Sequence, residues 1–580
     1  MTATRTRPRL GSLLLLVIGY GVLVVWLSWP LAPRAATHLP GARLACQFDT
    51  RHMAWVLAWQ SHALLTNPTS LPHANVYHPD RMALFHTEAG VGALPYFLPA
   101  WAVTGNAALA LNVMLLLSLV LTACTLHLVA RAWTGLAAAG LVAAVAFLCT
   151  RWILWGWVAT APHYATLHYL PLIALLATSR TPGRAWAAAL AVLLALQGLV
   201  SPYLAMAVFG PLGLLAILLL VRPASRPRGL GLLVCLVLAA CLIAPWYAGY
   251  AVVVAADPTV LDRTPWSAAP KDLVALPWGL ITERSPLGLA APCLLLIAAG
   301  ALARLTRTGR HDAGAPIPWA PALFWAAAGL LMMLPSRGLV GGEVINLPRA
   351  WLAGLVPGLD VVRFGQRLGV VGTIGLALLA GVAFGECVRA LRSLRGGRGP
   401  APALVWTAAA LVSLAAYGAY ASGAWFPEGG VEPLPRRYRV MPVVRQDDMT
   451  AATLRAATGP GAVLELPVTV PDAPGRTLTL NARAMYRSTL HWRPLLNGYT
   501  SYQPAGHADR IFLAERLPKP WALARLRNTA GLRHVVVRFQ WLTPSEREAW
   551  SALARRTDDP RWRLLPATRD ELLFEIRTAR

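Results

Sequence analysis

The sequence predicts a mainly α protein, a polytopic transmembrane helical bundle of about eleven spans followed by a C-terminal α/β domain outside the membrane. Three observations carry this reading. Hydrophobic residues make up 56% of the chain and charged residues 13%, with a mean hydropathy of +0.51, and that balance excludes a water-soluble globule. The apolar residues gather in long uninterrupted runs instead of alternating with polar ones. After residue 424 the runs give way to short strand-like and helix-like segments.

The apolar runs are Leu10 to Leu31, Ala107 to Ala130, Leu136 to Leu148, Tyr164 to Ala177, Ala185 to Val200, Tyr203 to Val221, Leu230 to Ala256, Leu287 to Ala303, Trp319 to Leu334, Leu368 to Cys387 and Leu404 to Ala421. Several need their flanks to cross a hydrocarbon core of about 30 Å. No small-residue cleavage site follows Leu10 to Leu31, so a retained helix is expected there and not a removed signal peptide. A cytoplasmic N-terminus bearing Arg5, Arg7 and Arg9, with the side alternating at each span, collects the purely basic clusters on one face. These clusters include Arg222, Arg226 and Arg228 and the run from Arg389 to Arg398. The opposite face receives the acid-bearing loops and everything after Ala421. The chain is therefore expected in the cytoplasmic (inner) membrane, with residues 1–424 as the membrane domain, 32–105 as its first outer loop, and 425–580 as an extracytoplasmic domain.

The formal charge of +26 is mostly arginine, and much of it lies beside the spans, where topology and anionic headgroups account for it. No nucleic-acid partner is expected. Of the seven cysteines most sit inside spans and Cys46 lies in an outer loop, so no disulfide framework is expected. No P-loop, GxSxG or CxxC occurs, which leaves an ATP-driven pump or a serine hydrolase without its signature. In the last domain, strands are predicted at Ala462 to Val468, His534 to Phe539 and Leu572 to Ile576, and helices around Thr450 to Ala457 and Ser545 to Arg555.

The first outer loop concentrates acidic, basic and aromatic residues between nearly charge-free segments. Asp49 stands at the start of a helical pattern in which His52, Trp55, Trp59 and His62 form one stripe and Met53, Val56, Gln60 and Leu64 another. The pattern predicts a helix lying along the membrane surface, with Asp49 as its N-cap and the tryptophans as interfacial anchors. A carboxylate fixed there is also well placed to act on a lipid-borne substrate.

An acidic residue opening the first outer loop, a helix, the turn Tyr77-His78-Pro79 and a second amphipathic stretch together resemble the GT-C superfamily of polyprenyl-phosphate-sugar glycosyltransferases. Within it the arrangement is similar to bacterial membrane families related to glycosyltransferase family 39 and to the YfhO-like proteins. Weaker matches are Arg151 with His163 and His168, Gln197 with Ser201-Pro202-Tyr203, and the ELP, HWRPLLNGY and HVVVRF segments. The resemblance implies a bundle that moves a sugar from a polyprenyl-phosphate carrier to an acceptor at the outer face, with Asp49 as general base. Where many relatives carry paired acids, Asp49 is followed here by Thr50-Arg51-His52. A metal-assisted variant needs Asp49 with His52, His86 or Glu88, at spacings that are not diagnostic; no metal and no cofactor are expected.

The substrate-binding candidates are His52, Asp80, His86 and Glu88 in the loop, and His163 and His168 at the outer end of a short span. Arg337, Arg349, Arg363 and Arg367 are the candidates for the leaving phosphate, since guanidinium suits phosphate geometry. The same arginines also read as snorkelling groups or as partners of Glu343 and Asp360. Two other function classes compete. One is a non-catalytic assembly or export factor for cell-envelope polysaccharide, and the other is a secondary transporter using His127 and Glu386. The sugar, the acceptor and the oligomeric state are not specified by the sequence.

Overall fold

The computed structural model describes residues 10–41, 47–178, 183–262, 271–272, 285, 287–306, 317–353, 359, 362, 365–395, 398–422, 438–556 and 559–577. Among these, six helices are long and apolar enough to cross a bilayer: Leu10–Leu27, Ala107–Thr134, Pro202–Val221, Pro223–Ala256, Gly365–Leu394 and Pro402–Ser422. A seventh is added if Ala137–Leu148 and Arg151–Thr160, bent by 49° at their break, form one span. The expected count of about eleven is not reached, and the physical reason is length, because a core of about 30 Å needs roughly 20 helical residues. The run predicted at 136–148 yields a helix of 12 residues and the run at 164–177 one of 9. Ala291–Leu305 and Trp319–Met333 are 15 residues each.

The chain divides into two compact units, and the division cuts across the boundary expected near residue 424. The first unit is Met1–Pro33, Met114–Ala244 and Ser267–Arg439, and the second is Arg34–Val113, Pro245–Trp266 and Val440–Arg580. Most of the first outer loop therefore groups with the C-terminal residues.

In the first unit the apolar window of Gly365–Leu394 is 94% buried, against 17% for Leu10–Leu27 and 22% for Pro402–Ser422, which makes it the central helix and leaves the other two at the lipid-facing rim. Small residues allow neighbouring helices to approach it closely. A Cβ built on Gly300 would lie 2.6 Å from the Ala383 Cα. Buried Glu386 accepts from Arg304 Nη1 and from Trp319 Nε1, both at 3.3 Å. His127 Nδ1 lies 2.8 Å from the Tyr20 hydroxyl. Both ionisable groups considered for a transporter thus take part in links between helices.

The second unit opens with β1 (His38–Pro40) and α1 (Gln47–Thr66), followed by α2 (Leu94–Thr104). Its C-terminal part runs β2 (Val440–Pro442), α3 (Met449–Ala456), β3 (Ala462–Leu466), α4 (Pro474–Ser488), α5 (His507–Ala514), α6 (Pro520–Ala530), β4 (Leu532–Arg538), α7 (Pro544–Arg555), β5 (Trp562–Leu565) and β6 (Glu571–Ile576). β1 pairs antiparallel with β2, Leu39 opposite Met441. The main sheet has the order β3-β4-β6-β5, with β3 parallel to β4 and the other pairs antiparallel. The three strands and two helices read from the sequence in this domain are present, and β2, α4, α5, α6 and β5 are additional. Apolar side chains of the sheet, such as Leu464, Val535, Val537 and Phe574, pack with Leu523, Leu526, Trp550 and Leu553 from α6 and α7. A capping box between Thr543 and Glu546 starts α7.

α1 packs between α2 and α4 and is enclosed on nearly all sides, which corrects the expectation of a surface helix. Trp55 and Gln60 are fully buried and Trp59 is nearly so. Trp55 Nε1 donates to Asn75 Oδ1 at 3.0 Å and Trp59 Nε1 to the Leu71 carbonyl at 3.0 Å. Both indole N–H groups bond to protein instead of interfacial water. Gln60 Nε2 donates to the Ala89 carbonyl at 2.5 Å.

Beside the sheet lies a buried ionic network. Arg487, 0% exposed, meets Glu571 Oε1 at 2.5 Å, Glu465 Oε2 at 3.3 Å and Asp448 Oδ1 at 3.5 Å. Arg538 meets Glu465 Oε2 at 2.5 Å and Glu571 Oε1 at 3.2 Å. Burial alone would depress the Arg487 guanidinium, but Glu465, Glu571 and Asp448 outweigh it and hold it above the usual range. Burial pulls Arg538 down to about 10, with Glu465 opposing and Arg487 adding to the fall. Three buried histidines stay neutral in this unit. Burial first, and neighbouring arginines second, bring His491 and His507 to about 3 and His534 to about 4.

Two outcomes follow. Arg487→Ala leaves two buried carboxylates, Glu465 and Glu571, with Arg538 as the one remaining arginine of the two that meet them both, and costs about 3–5 kcal/mol for the charge left uncompensated, read from denaturant unfolding of the purified full chain by near-UV circular dichroism. The histidines impose a pH dependence. Unfolded imidazoles take up protons below about pH 6.5, whereas these folded ones do not until about pH 4 or lower, so acidification favours unfolding. The melting temperature should fall between pH 6.5 and 4, and the triple substitution of His491, His507 and His534 by Gln should flatten that slope.

Candidate functional site

Asp49 lies in the first turn of α1, half-buried, two residues after the first helical residue Gln47. It is inside the helix and not at the expected cap position. The helix dipole favours a negative charge in a first turn. Oδ1 accepts a hydrogen bond from the Tyr499 hydroxyl at 2.7 Å. The rings of Phe48 and His52 stand edge-on to the Tyr499 ring, with centroids at 5.1 and 5.3 Å. His52, at 6% exposure, therefore belongs to the packing around the phenol that holds Asp49.

Tyr499 is presented by a rigid segment. Asn497 Oδ1 accepts from the Glu465 N–H at 2.7 Å, and its Nδ2 donates to the Glu465 carbonyl at 2.9 Å and to Asn481 Oδ1 at 3.0 Å. The amide thus pairs with both backbone groups of a β3 residue, as a neighbouring strand would. Gly498 faces the Tyr77 ring so closely that a Cβ would collide with it, so this position has room only for glycine. Tyr77 Oη lies 2.9 Å from Thr500 Oγ1, and His507 stands edge-on to the Tyr77 ring at 4.7 Å.

The other loop candidates are dispersed. Asp80 forms an ion pair with Arg510 of α5. His86 Nδ1 lies 3.3 Å from the Met82 carbonyl. Glu88 falls within electrostatic range of Tyr247 and Tyr250. Among the described residues no three His, Cys, Asp or Glu side chains converge as ligands could, so Asp49, His52, His86 and Glu88 do not meet as a set.

The remaining candidates belong to the first unit. His163 and His168 are buried, at 2% and 5% exposure, in the irregular stretch between Ala137–Leu148 and Tyr169–Ala177. That stretch is tied to its surroundings by Tyr164 Oη with Ser201 Oγ at 2.9 Å and by Gln197 Nε2 donating to the Thr166 carbonyl at 3.0 Å. Irregular backbone inside a membrane bundle persists only where such partners satisfy it. The Arg367 guanidinium lies 3.9 Å from the centre of the Trp157 ring and 5.0 Å from that of Tyr203. Arg349 also bears electrostatically on Tyr203, and burial lowers its pKa. Its Nη1 is buried with no hydrogen-bond partner among the described residues. Arg337 sits exposed in the strand Arg337–Val340, opposite Asn346, and Arg363 lies outside the described residues. Two of the four arginines are thus gathered around one tyrosine.

The sequence offers Asn497-Gly498-Tyr499 as a sugar-stacking segment or as a turn and core edge, and it does not foresee the contact of Tyr499 with Asp49 or of Tyr203 with Arg367. Both tyrosines lie in segments singled out in the sequence, Asn497-Gly498-Tyr499 and Ser201-Pro202-Tyr203, but nothing in the spacing linked them to Asp49 or to the arginines.

No protein family model and no curated protein matches the chain. Among solved structures, the chain is similar to the crystal structure of the Archaeoglobus fulgidus oligosaccharyltransferase in complex with zinc and sulfate, at a TM-score of 0.41 and 14% identity, over 90% of this chain and 68% of that one.

Proposed function

We propose that this chain transfers a sugar from a polyprenyl-phosphate donor to an acceptor hydroxyl at the outer face of the cytoplasmic membrane, with Asp49 as general base. The N-terminus is then cytoplasmic and the residues after 424 extracytoplasmic. The observation that carries the reading is the Asp49 carboxylate, half-buried in the first turn of α1 and steadied on one oxygen by Tyr499. In the step itself the acceptor O–H bond breaks and its proton passes to the Asp49 carboxylate. The acceptor oxygen bonds to the anomeric carbon, and the bond from that carbon to the phosphate oxygen breaks with its electron pair leaving on the phosphate. Attack opposite the leaving group inverts the anomeric centre.

Arg349 and Arg367 are the preferred phosphate candidates, because both guanidinium groups lie near Tyr203 and the buried Arg349 Nη1, which has no hydrogen-bond partner among the described residues, could donate to an anion. A negative leaving group is stabilised where such donors are fixed in advance.

The test is Asp49→Asn in proteoliposomes supplied with a panel of radiolabelled undecaprenyl-phosphate hexoses and pentoses and a membrane extract as acceptor. Asparagine keeps the size and the carbonyl that accepts from Tyr499 but removes the basic oxygen, so transfer should fall roughly 10²- to 10⁴-fold at unchanged expression. Wild-type transfer by the variant overturns the assignment of the base.

A further inference from the structure

We infer that Tyr499 is a positioning residue for Asp49: its hydroxyl fixes the plane of the carboxylate and favours the ionised form that a base must have. The inference rests on the reading of Asp49 as base, and it adds a role for a residue of the C-terminal region.

The argument is one of rigidity at each link. A phenol that could swing away would add little, because an exposed hydrogen bond to a carboxylate competes with water. Tyr499 is 8% exposed, its ring is gripped edge-on by Phe48 and His52, and its backbone N–H points at Met485 Sδ, 3.1 Å away. Two residues earlier, Asn497 is bonded to both backbone groups of Glu465. Glu465 is itself fixed through its side chain by Arg487 and Arg538. The Tyr499 hydroxyl therefore arrives at Asp49 Oδ1 from a frame that does not relax when the carboxylate rotates. A hydrogen bond donated to the charged form of an acid stabilises that form over the protonated one. A merely structural tyrosine would hold the ring packing alone and leave the protonation of Asp49 unaffected.

Phe48, His52 and Tyr499 would keep their ring contacts in Tyr499→Phe, while the donated hydrogen bond is lost. The experiment reads Asp49 directly, without donor, acceptor or turnover. The full-length protein in detergent is labelled with a water-soluble carbodiimide and an amine, a reaction that requires the protonated carboxyl, and the extent at Asp49 is measured across pH by peptide mass spectrometry. In Tyr499→Phe the labelling midpoint should move upward by about one pH unit, with the melting temperature used to verify folding. A midpoint unmoved in a folded variant overturns the inference. Should Tyr499→Phe fail to fold, 3,5-difluorotyrosine at position 499 keeps the ring and strengthens the donor while its hydroxyl is protonated. The midpoint must then move downward, and an unmoved value again overturns the role. The two readings separate cleanly. Full transfer by Asp49→Asn removes the base, whatever the labelling shows, and an unmoved midpoint removes Tyr499 even where Asp49→Asn is inactive.

Discussion

The buried ionic network on the sheet of the second unit is the constraint from which the candidate site is built. Arg487 and Arg538 share the carboxylates of Glu465 and Glu571 where water does not reach. Charges so enclosed are tolerable only in one arrangement, since each loses its hydration and must find it again in its neighbours. The order extends outward through covalent structure. Glu465 belongs to the network by its side chain and to Asn497 by its backbone, and two residues beyond Asn497 the Tyr499 hydroxyl meets Asp49. A buried ionic network beside the sheet and a candidate base at the start of a helix are thus joined by hydrogen bonds and two residues of chain.

Much of the architecture was legible in the sequence because it follows from period and composition. The β-branched run at Val535 to Val537 and the apolar run from Ala462 to Val468 identify strands β4 and β3, and the segment from Ser545 to Arg555 reads as α7. The role of α1 was not legible. Its tryptophan stripe reads equally as a membrane anchor or as a protein interior, since both environments reward the same apolar face. Only the partners of the indole N–H groups, Asn75 and the Leu71 carbonyl, decide between them. The expected span count is not confirmed among the described residues for a related reason. The runs at 136–148 and 164–177 are apolar enough for lipid, but the helices that form within them are 12 and 9 residues long, short of a span unless the first continues past its bend into Arg151–Thr160.

The candidate site divides in the same way. Asp49 was identifiable as a lone acid between apolar segments. Tyr499 was not, because the contact joins residues 450 positions apart and no local pattern encodes it. Arg349 and Arg367 looked equivalent to Arg337 in the sequence. What separates them is Tyr203, a ring that Arg367 overlies and whose charge environment Arg349 shares, whereas Arg337 projects from a strand with its side chain exposed.

That separation of 450 positions also bears on how the protein is made. Asp49 emerges early from the ribosome, whereas Tyr499 and the strands that steady it are synthesised after all six of the long apolar helices among the described residues. A chain truncated before residue 440 would lack α4, the partner of α1, and β2, the partner of β1, together with the phenol beside the acid. The order of synthesis therefore leaves Asp49 without the Tyr499 hydroxyl, and β1 without its paired strand, until residues 440–499 have been made.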